Sequence, residues 1–312
     1  IPPNQLSHLK ELIQGVSHPF YVDATPKIYF DDADGDGIVD PGDKVILIGG
    51  QRKGGKVYFA LDITDPEVPI YMWHITDPEV PIYMWQITGS DLAGLGESWS
   101  EPTFGLVKTS DADTVGTPVM FIGGGFTADN SLGKAIFAIP LSDGAVVQQS
   151  YSGHNLAVDS EMTACIPSAI NAVDEDSNGF VDKLYVGDVA GRIWRVGNFS
   201  NSAGTALTFP ECNENINTWK AQIVFIANDA DNADRKFFYA PRVTLEKGYD
   251  LVFAGSGDRE DACNTTTSGL DMILAFKDSH ATVDTSDTPV PVILTDDLVN
   301  TTSTLSIPPV LD

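Results

Sequence analysis

Short apolar runs that end in glycine recur along the chain, and each is followed by a second run in which aromatic and aliphatic residues crowd together. The first set reads Val45-Ile-Leu-Ile-Gly-Gly, Pro118-Val-Met-Phe-Ile-Gly-Gly-Gly, Lys183-Leu-Tyr-Val-Gly-Asp and Asp250-Leu-Val-Phe-Ala-Gly-Ser-Gly. The second set reads Gly55-Lys-Val-Tyr-Phe-Ala-Leu, Gly133-Lys-Ala-Ile-Phe-Ala-Ile, Gly191-Arg-Ile-Trp-Arg-Val and Gly269-Leu-Asp-Met-Ile-Leu-Ala-Phe. Runs this short, rich in β-branched and aromatic residues and bounded by glycine, predict paired strands rather than helices. Trp194, Tyr58 and Phe137 hold matching places in the second set and are predicted core.

Each pair of runs is preceded by a segment that carries a proline: Ala24-Thr-Pro26, Ser100-Glu-Pro102, Ile166-Pro167 and Ala240-Pro241, with the prolines 76, 65 and 74 residues apart. A strand-rich unit repeated at this spacing, with a tight hairpin in each copy, predicts an all-β fold of the β-propeller type. The division expected is a lead-in at 1–23 and blade-like modules at 24–88, 99–152, 162–226 and 238–300. Four modules suit either the smallest closed ring or part of a larger, seven-bladed one. A shorter repeat lies inside the first module, where Ile63 through Trp73 recurs unchanged as Ile75 through Trp85. It adds a strand-length segment with Trp, Tyr and Met, and its prolines limit edge pairing.

The count of 28 Gly and 19 Pro agrees with many turns between short strands. A net charge of −26, from 44 acidic against 18 basic residues, repels phosphates and anionic lipid and argues against nucleic acid or a membrane surface as partner. No apolar run approaches the roughly 18 residues of a membrane span. Ile1-Pro-Pro-Asn reads as mid-protein sequence with no signal-peptide pattern, so the expectation is a fragment of a longer exported protein. Of the three cysteines, Cys212 and Cys263 lie in polar, loop-like stretches and are the more plausible disulfide pair, whereas Cys165 is expected to be buried.

Two Asp-rich loops carry the candidate chemistry. In the first, Asp32, Asp34, Asp36 and Asp40 fall at loop positions 1, 3, 5 and 9, with Ile38 at position 7 for a backbone carbonyl and Asp43 at position 12. In the second, Asp174, Asp176, Asn178 and Asp182 occupy positions 1, 3, 5 and 9, with Gly179 at the sharp turn and Phe180 at position 7. Ca²⁺ takes six to eight oxygens, and a short loop supplies them by winding around the ion, so both loops predict Ca²⁺ sites. Strand-like runs flank them, which excludes EF-hand helices. The loops start 142 residues apart, close to two modules, and so occupy equivalent places in modules 1 and 3. Other acidic stretches, Asp229 to Asp234 and Asp258 to Asp261, lack the loop frame and are expected as solvated turns.

Four stretches resemble the C-terminal β-propeller of the PilY/PilC family of type IV pilus tip-associated adhesins and biogenesis factors. They are Phe20-Tyr-Val-Asp-Ala-Thr-Pro, Gly54 through Pro66, Gly96-Glu-Ser-Trp-Ser-Glu-Pro102, and the Asp174 loop running into Lys183 through Val196. The resemblance implies that the loop of pattern Asp-x-Asp-x-Asn-x-x-x-Asp binds the Ca²⁺ that controls pilus extension and retraction, here through Asp174, Asp176, Asn178, Phe180 and Asp182. It further implies a non-enzymatic role in pilus assembly and attachment, with pilus subunits or minor pilins as partners, contact with a host-cell or abiotic surface, and a location at the cell surface or pilus tip.

Two rival readings share the propeller. A pyrroloquinoline-quinone dehydrogenase also binds Ca²⁺, but typically carries a vicinal cysteine pair, and no two cysteines here are adjacent. His8, His18, His74, His154 and His280 show no ligand or triad spacing and are each expected in solvent. An integrin-α-like or FG-GAP propeller would carry Phe-Gly and Gly-Ala-Pro signatures at each module start, and only Thr103-Phe104-Gly105 approaches them.

Overall fold

The computed structural model describes residues 3–15, 19–65, 83–89, 92–141, 162–199, 211–227, 235–262, 271–280, 293–294 and 297–299. Antiparallel sheets dominate it. The first comprises β1 (Lys27–Asp31), β2 (Lys44–Gly50), β3 (Val57–Asp62) and β4 (Tyr83–Thr88), paired in that order. The second comprises β5 (Thr103–Val107), β6 (Thr117–Gly123) and β7 (Ile136–Pro140). The third runs β8 (Asn171–Val173), β9 (Lys183–Gly187), β10 (Arg192–Gly197) and β11 (Lys220–Ile226), and the fourth β12 (Arg242–Glu246), β13 (Tyr249–Gly255) and β14 (Ile273–Asp278). Within each of these sets the strands form a meander in which sequence neighbours pair. The glycine-ended runs are β2, β6, β9 and β13, the second strand of each sheet.

The register explains why these strands are apolar at consecutive positions. Side chains of a strand alternate between faces, and β6 sends Val119 and Phe121 toward the third sheet but Met120 and Ile122 toward the first. Leu184 and Val186 of β9 likewise join the core shared with the second sheet, while Tyr185 joins Phe225, Val252 and Phe276 in the core shared with the fourth. A sheet sandwiched between two others needs apolar residues on both faces. Among the described residues the fourth sheet is covered on one face, and β14 accordingly alternates from Ile273, 93% exposed, to Leu274, 5% exposed. Tyr58, Phe137 and Trp194 are all buried, as their pattern predicts.

Two placements go beyond the pattern. The outer strand β4 comes from the end of the second copy of the short repeat, pairing Trp85 with Ala60 and Tyr83 with Leu61; residues 66–82 lie outside the described residues. A short strand, β15 (Ile293–Leu294), from the stretch read as the fourth module, pairs in parallel with Phe225 and Ile226 of β11 in the third sheet. It pairs with the last two residues of β11 on the side away from β10. Among the described residues no helix is long and apolar enough to cross a membrane.

Candidate metal centre

Both acidic loops join the first strand of a sheet to the second: β1 to β2, and β8 to β9. Their backbones wind the same way. Asp32 accepts the backbone N–H of Gly37 at 2.8 Å, and Asp174 accepts that of Gly179 at 2.8 Å, so position 1 closes onto position 6 in each. That closure needs left-handed backbone at position 6, where φ is +77° at Gly37 and +94° at Gly179, a conformation glycine adopts without steric cost. The N–H donors hold the Asp32 carboxyl below its ordinary value, Gly37 contributing most.

Carboxylate oxygens of Asp32, Asp34 and Asp36 lie within 4.8 Å of one another, and so do those of Asp174, Asp176 and Asp182. The two groups are not built from the same positions, because Asp40 is exposed and stands outside the first. The structural counterpart of Asp182 is Asp43. Each is buried, at 5% and 6% exposed, and directly precedes the lysine that begins the second strand. Asp43 accepts the N–H of Ala33 at 2.9 Å, and Asp182 that of Glu175 at 2.6 Å, the loop's second residue in both cases. Asp43 also accepts the N–H of Asp40, so its two oxygens lock the longer first loop to itself. Ile38 is 65% exposed on that loop.

The second loop is the better supported of the two. Phe180 forms a bridge with Leu106 of β5, and the N–H of Val181 donates to the Leu106 carbonyl at 2.9 Å, which ties the loop to the second sheet. The Phe180 ring lies 4.5 Å below the Lys108 ammonium. Glu214 reaches the same spot, accepting from the Asn178 amide and pairing with Lys108. Burial, and then the charges of Asp176, Glu214 and Asp174, push the Asp182 carboxyl up to about 7. Four acidic groups so close oppose one another's ionisation, the condition that a divalent cation relieves, and the all-oxygen donor set suits Ca²⁺.

Beneath this loop runs a buried polar network that local spacing did not reveal. Glu175 pairs with Lys183, whose ammonium is 2.8 Å from Asp250 of the fourth sheet, with both Lys183 and Asp250 fully buried. Tyr185 donates to Asp250 at 2.7 Å and shares its hydroxyl with Asp278 at 2.9 Å, and Arg195 holds Asp278 at 2.6 Å. His280, expected in solvent, is instead 4% exposed, with Nε2 2.8 Å from Asp250, and burial pulls its pKa down. Its partners lie 30 and 97 residues away in sequence, Asp250 and Lys183, so no local pattern could announce them. His8 is exposed as expected, and His18, His74 and His154 lie outside the described residues.

Glu175, Cys212 and His280 also gather their donor atoms, but the Lys183 ammonium already meets the charge of Glu175 there. Burial pushes the Cys212 thiol up to about 12. Its suggested partner Cys263 lies outside the described residues, while Cys165 is fully buried and donates to the Leu132 carbonyl at 3.0 Å. Of the two minor acidic stretches, Asp229 to Asp234 lies outside the described residues. In the other, Asp258 pairs with Lys236 and Glu260 with Lys53.

Stacked sheets of three to five strands, each built on a meander, with acidic loops between the first and second strands of two of them, define a β-propeller. A family model described as "PilY1 beta-propeller domain" matches residues 5–291, and the chain belongs to that family. It is 28% identical over 280 residues to the type IV pilus biogenesis factor PilY1 of Pseudomonas aeruginosa strain UCBPP-PA14, covering 83% of this chain and 21% of that protein. It is 30% identical over 251 residues to a PilY1 homolog of Xylella fastidiosa strain Temecula1, covering 78% of this chain and 16% of the relative. The chain thus spans about a fifth of the length of these curated relatives. The crystal structure of the P. aeruginosa PilY1 C-terminal domain superposes with a TM-score of 0.60 at 21% identity, over 91% of this chain and 54% of that one, a likeness of fold.

Proposed function

We propose that this domain is the Ca²⁺-binding propeller of a type IV pilus biogenesis factor, exported to the cell surface or pilus tip, where it supports pilus assembly, Ca²⁺-dependent extension and retraction, and attachment. The observation that carries the reading is the Asp174 loop. Three of its carboxylates converge, and its second residue reaches through Lys183 to the next sheet. Asp174, Asp176, Asn178, Asp182 and the Phe180 carbonyl would hold the ion, and bound Ca²⁺ would supply the positive charge that lets all the carboxylates stay ionised. Asp182 and Glu175 are tied by the N–H of Glu175, so fixing one fixes the other. Glu175 in turn positions Lys183 against Asp250, which makes the interface of the third and fourth sheets responsive to the loop. Asp32, Asp34 and Asp36 form the second site, with Asp43 bracing the loop. Pilus subunits or minor pilins are the proposed partners, and the role is non-enzymatic, in keeping with relatives named as biogenesis factors.

Calorimetric Ca²⁺ titration of the EDTA-stripped chain, beside Asp174→Ala and Asp32→Ala variants, tests the reading. Two sites, each lost with its own substitution, are expected. A folded wild-type chain that takes up no Ca²⁺ would overturn it.

A further inference from the structure

A second site of different chemistry lies where the proline-bearing segments before β5, β8 and β12 converge. Trp99 and Phe238 form its floor, with ring centres 5.5 Å apart and each side chain only 3% exposed. Above them stands Tyr239, 60% exposed, with the Arg259 guanidinium 5.1 Å from its ring centre. A cavity of about 260 Å³ opens there, lined by Trp99, Glu101, Phe238, Tyr239, Arg242 and Arg259 among others. That is near the small end of ligand pockets, room for one side chain and its flanking backbone.

The charges around it are distributed unevenly. In a chain with 44 acidic and 18 basic residues, a surface arginine would be expected to find a carboxylate. The lining acid Glu101 is instead held by Lys27 at 3.0 Å, the acids on either side of Arg259 in sequence are held by lysines, Asp258 by Lys236 at 2.6 Å and Glu260 by Lys53 at 2.8 Å, and Glu97 accepts the Trp99 indole N–H at 2.9 Å. Neither Arg242 nor Arg259 pairs with a carboxylate among the described residues, and both line the cavity. Two guanidiniums offer fork-shaped donors suited to a planar carboxylate. Glu101 on the same wall, its charge met by Lys27, still has carboxylate lone pairs to accept a peptide N–H. Trp, Tyr and Arg around a small apolar floor are the side chains that anchor protein partners.

We propose that the cavity between Trp99, Tyr239, Arg242 and Arg259 binds a peptide carboxylate presented by a separate protein chain. The site is independent of the acidic loops, since none of its residues contributes to either. The test passes a randomised pool of short peptides with a central Glu, and the same pool with Gln there, over the immobilised chain, with retained peptides read by mass spectrometry. Retention of the Glu pool should exceed that of the Gln pool by about tenfold, the factor one charge-assisted hydrogen bond provides. Arg242→Ala/Arg259→Ala should abolish that preference with the thermal melt and Ca²⁺ titration unchanged, and Arg242→Lys/Arg259→Lys should weaken it, since lysine keeps the charge but not the fork. Equal retention of both pools, no retention, indifference to the arginine variants, or displacement by inorganic phosphate in preference to the peptide would each overturn the proposal.

Discussion

Lys183→Met tests the link between the candidate metal loop and its neighbouring sheet most directly. Lys183 is fully buried and meets two carboxylates, Glu175 and Asp250, the second at 2.8 Å and itself fully buried. Removing one partner of a buried pair typically costs about 3–5 kcal/mol because the remaining charge is left without compensation. Asp250 keeps hydrogen bonds from Tyr185 and His280, which places the expected cost at the lower end, about 3 kcal/mol. That is a sizeable share of the roughly 5–15 kcal/mol that holds a domain folded. With a urea slope of about 3 kcal/mol per molar, the unfolding midpoint should fall by about 1 M, read by tryptophan fluorescence. Lys183→Met/Asp250→Asn removes both charges and should recover a large part of the loss. Calorimetry on Lys183→Met should also show weaker Ca²⁺ uptake at the second loop than at the first, since Glu175 loses the partner that positions it. A cost below about 1 kcal/mol, the value of an exposed pair, or a double variant no better than the single, would refute the reasoning.

Other consequences follow from particular contacts. A Cβ added at Gly187 would meet the Phe237 Cβ at 2.3 Å within the core, so Gly187→Ala should lose about 1–3 kcal/mol by overpacking, and an unchanged calorimetric melt would contradict the packing described. Tyr58→Phe removes a fully buried hydroxyl that donates to the Ser100 carbonyl at 2.6 Å and should cost about 1–2 kcal/mol in chemical denaturation; a neutral result would mean that hydrogen bond contributes nothing. Burial alone would raise the Asp278 carboxyl, but the Arg195 charge and further donors outweigh it and hold it below its ordinary value of 3.8. A carboxylate depressed in the folded state adds stability that is present above about pH 4 and is lost as pH falls through its folded pKa. Wild type should therefore lose more stability than Asp278→Asn as pH falls below about 4, and parallel acid-denaturation curves would remove Asp278 from the account.

Much of this protein is written locally. Strands announce themselves because the glycine-ended runs are apolar at consecutive positions, and the chemistry of each acidic loop sits within a dozen residues, so spacing alone points to oxygen ligands and to glycine where φ is positive. Such features depend on neighbours in the chain, and propensity and turn geometry act at that range. Tertiary structure decided what depends on distant partners. Only the stacking of sheets sends Phe121 to one core and Met120 to the other. Counting from the start of each loop aligns Asp40 with Asp182, whereas the fold aligns Asp43, because what matters is the residue that turns back onto the second N–H of the loop before the next strand begins. Glu214 comes to the second loop from 36 residues away, and His280 to Lys183 from 97. A histidine with no nearby partner in sequence reads as solvated, yet burial between two sheets makes it part of the ionic network that joins them.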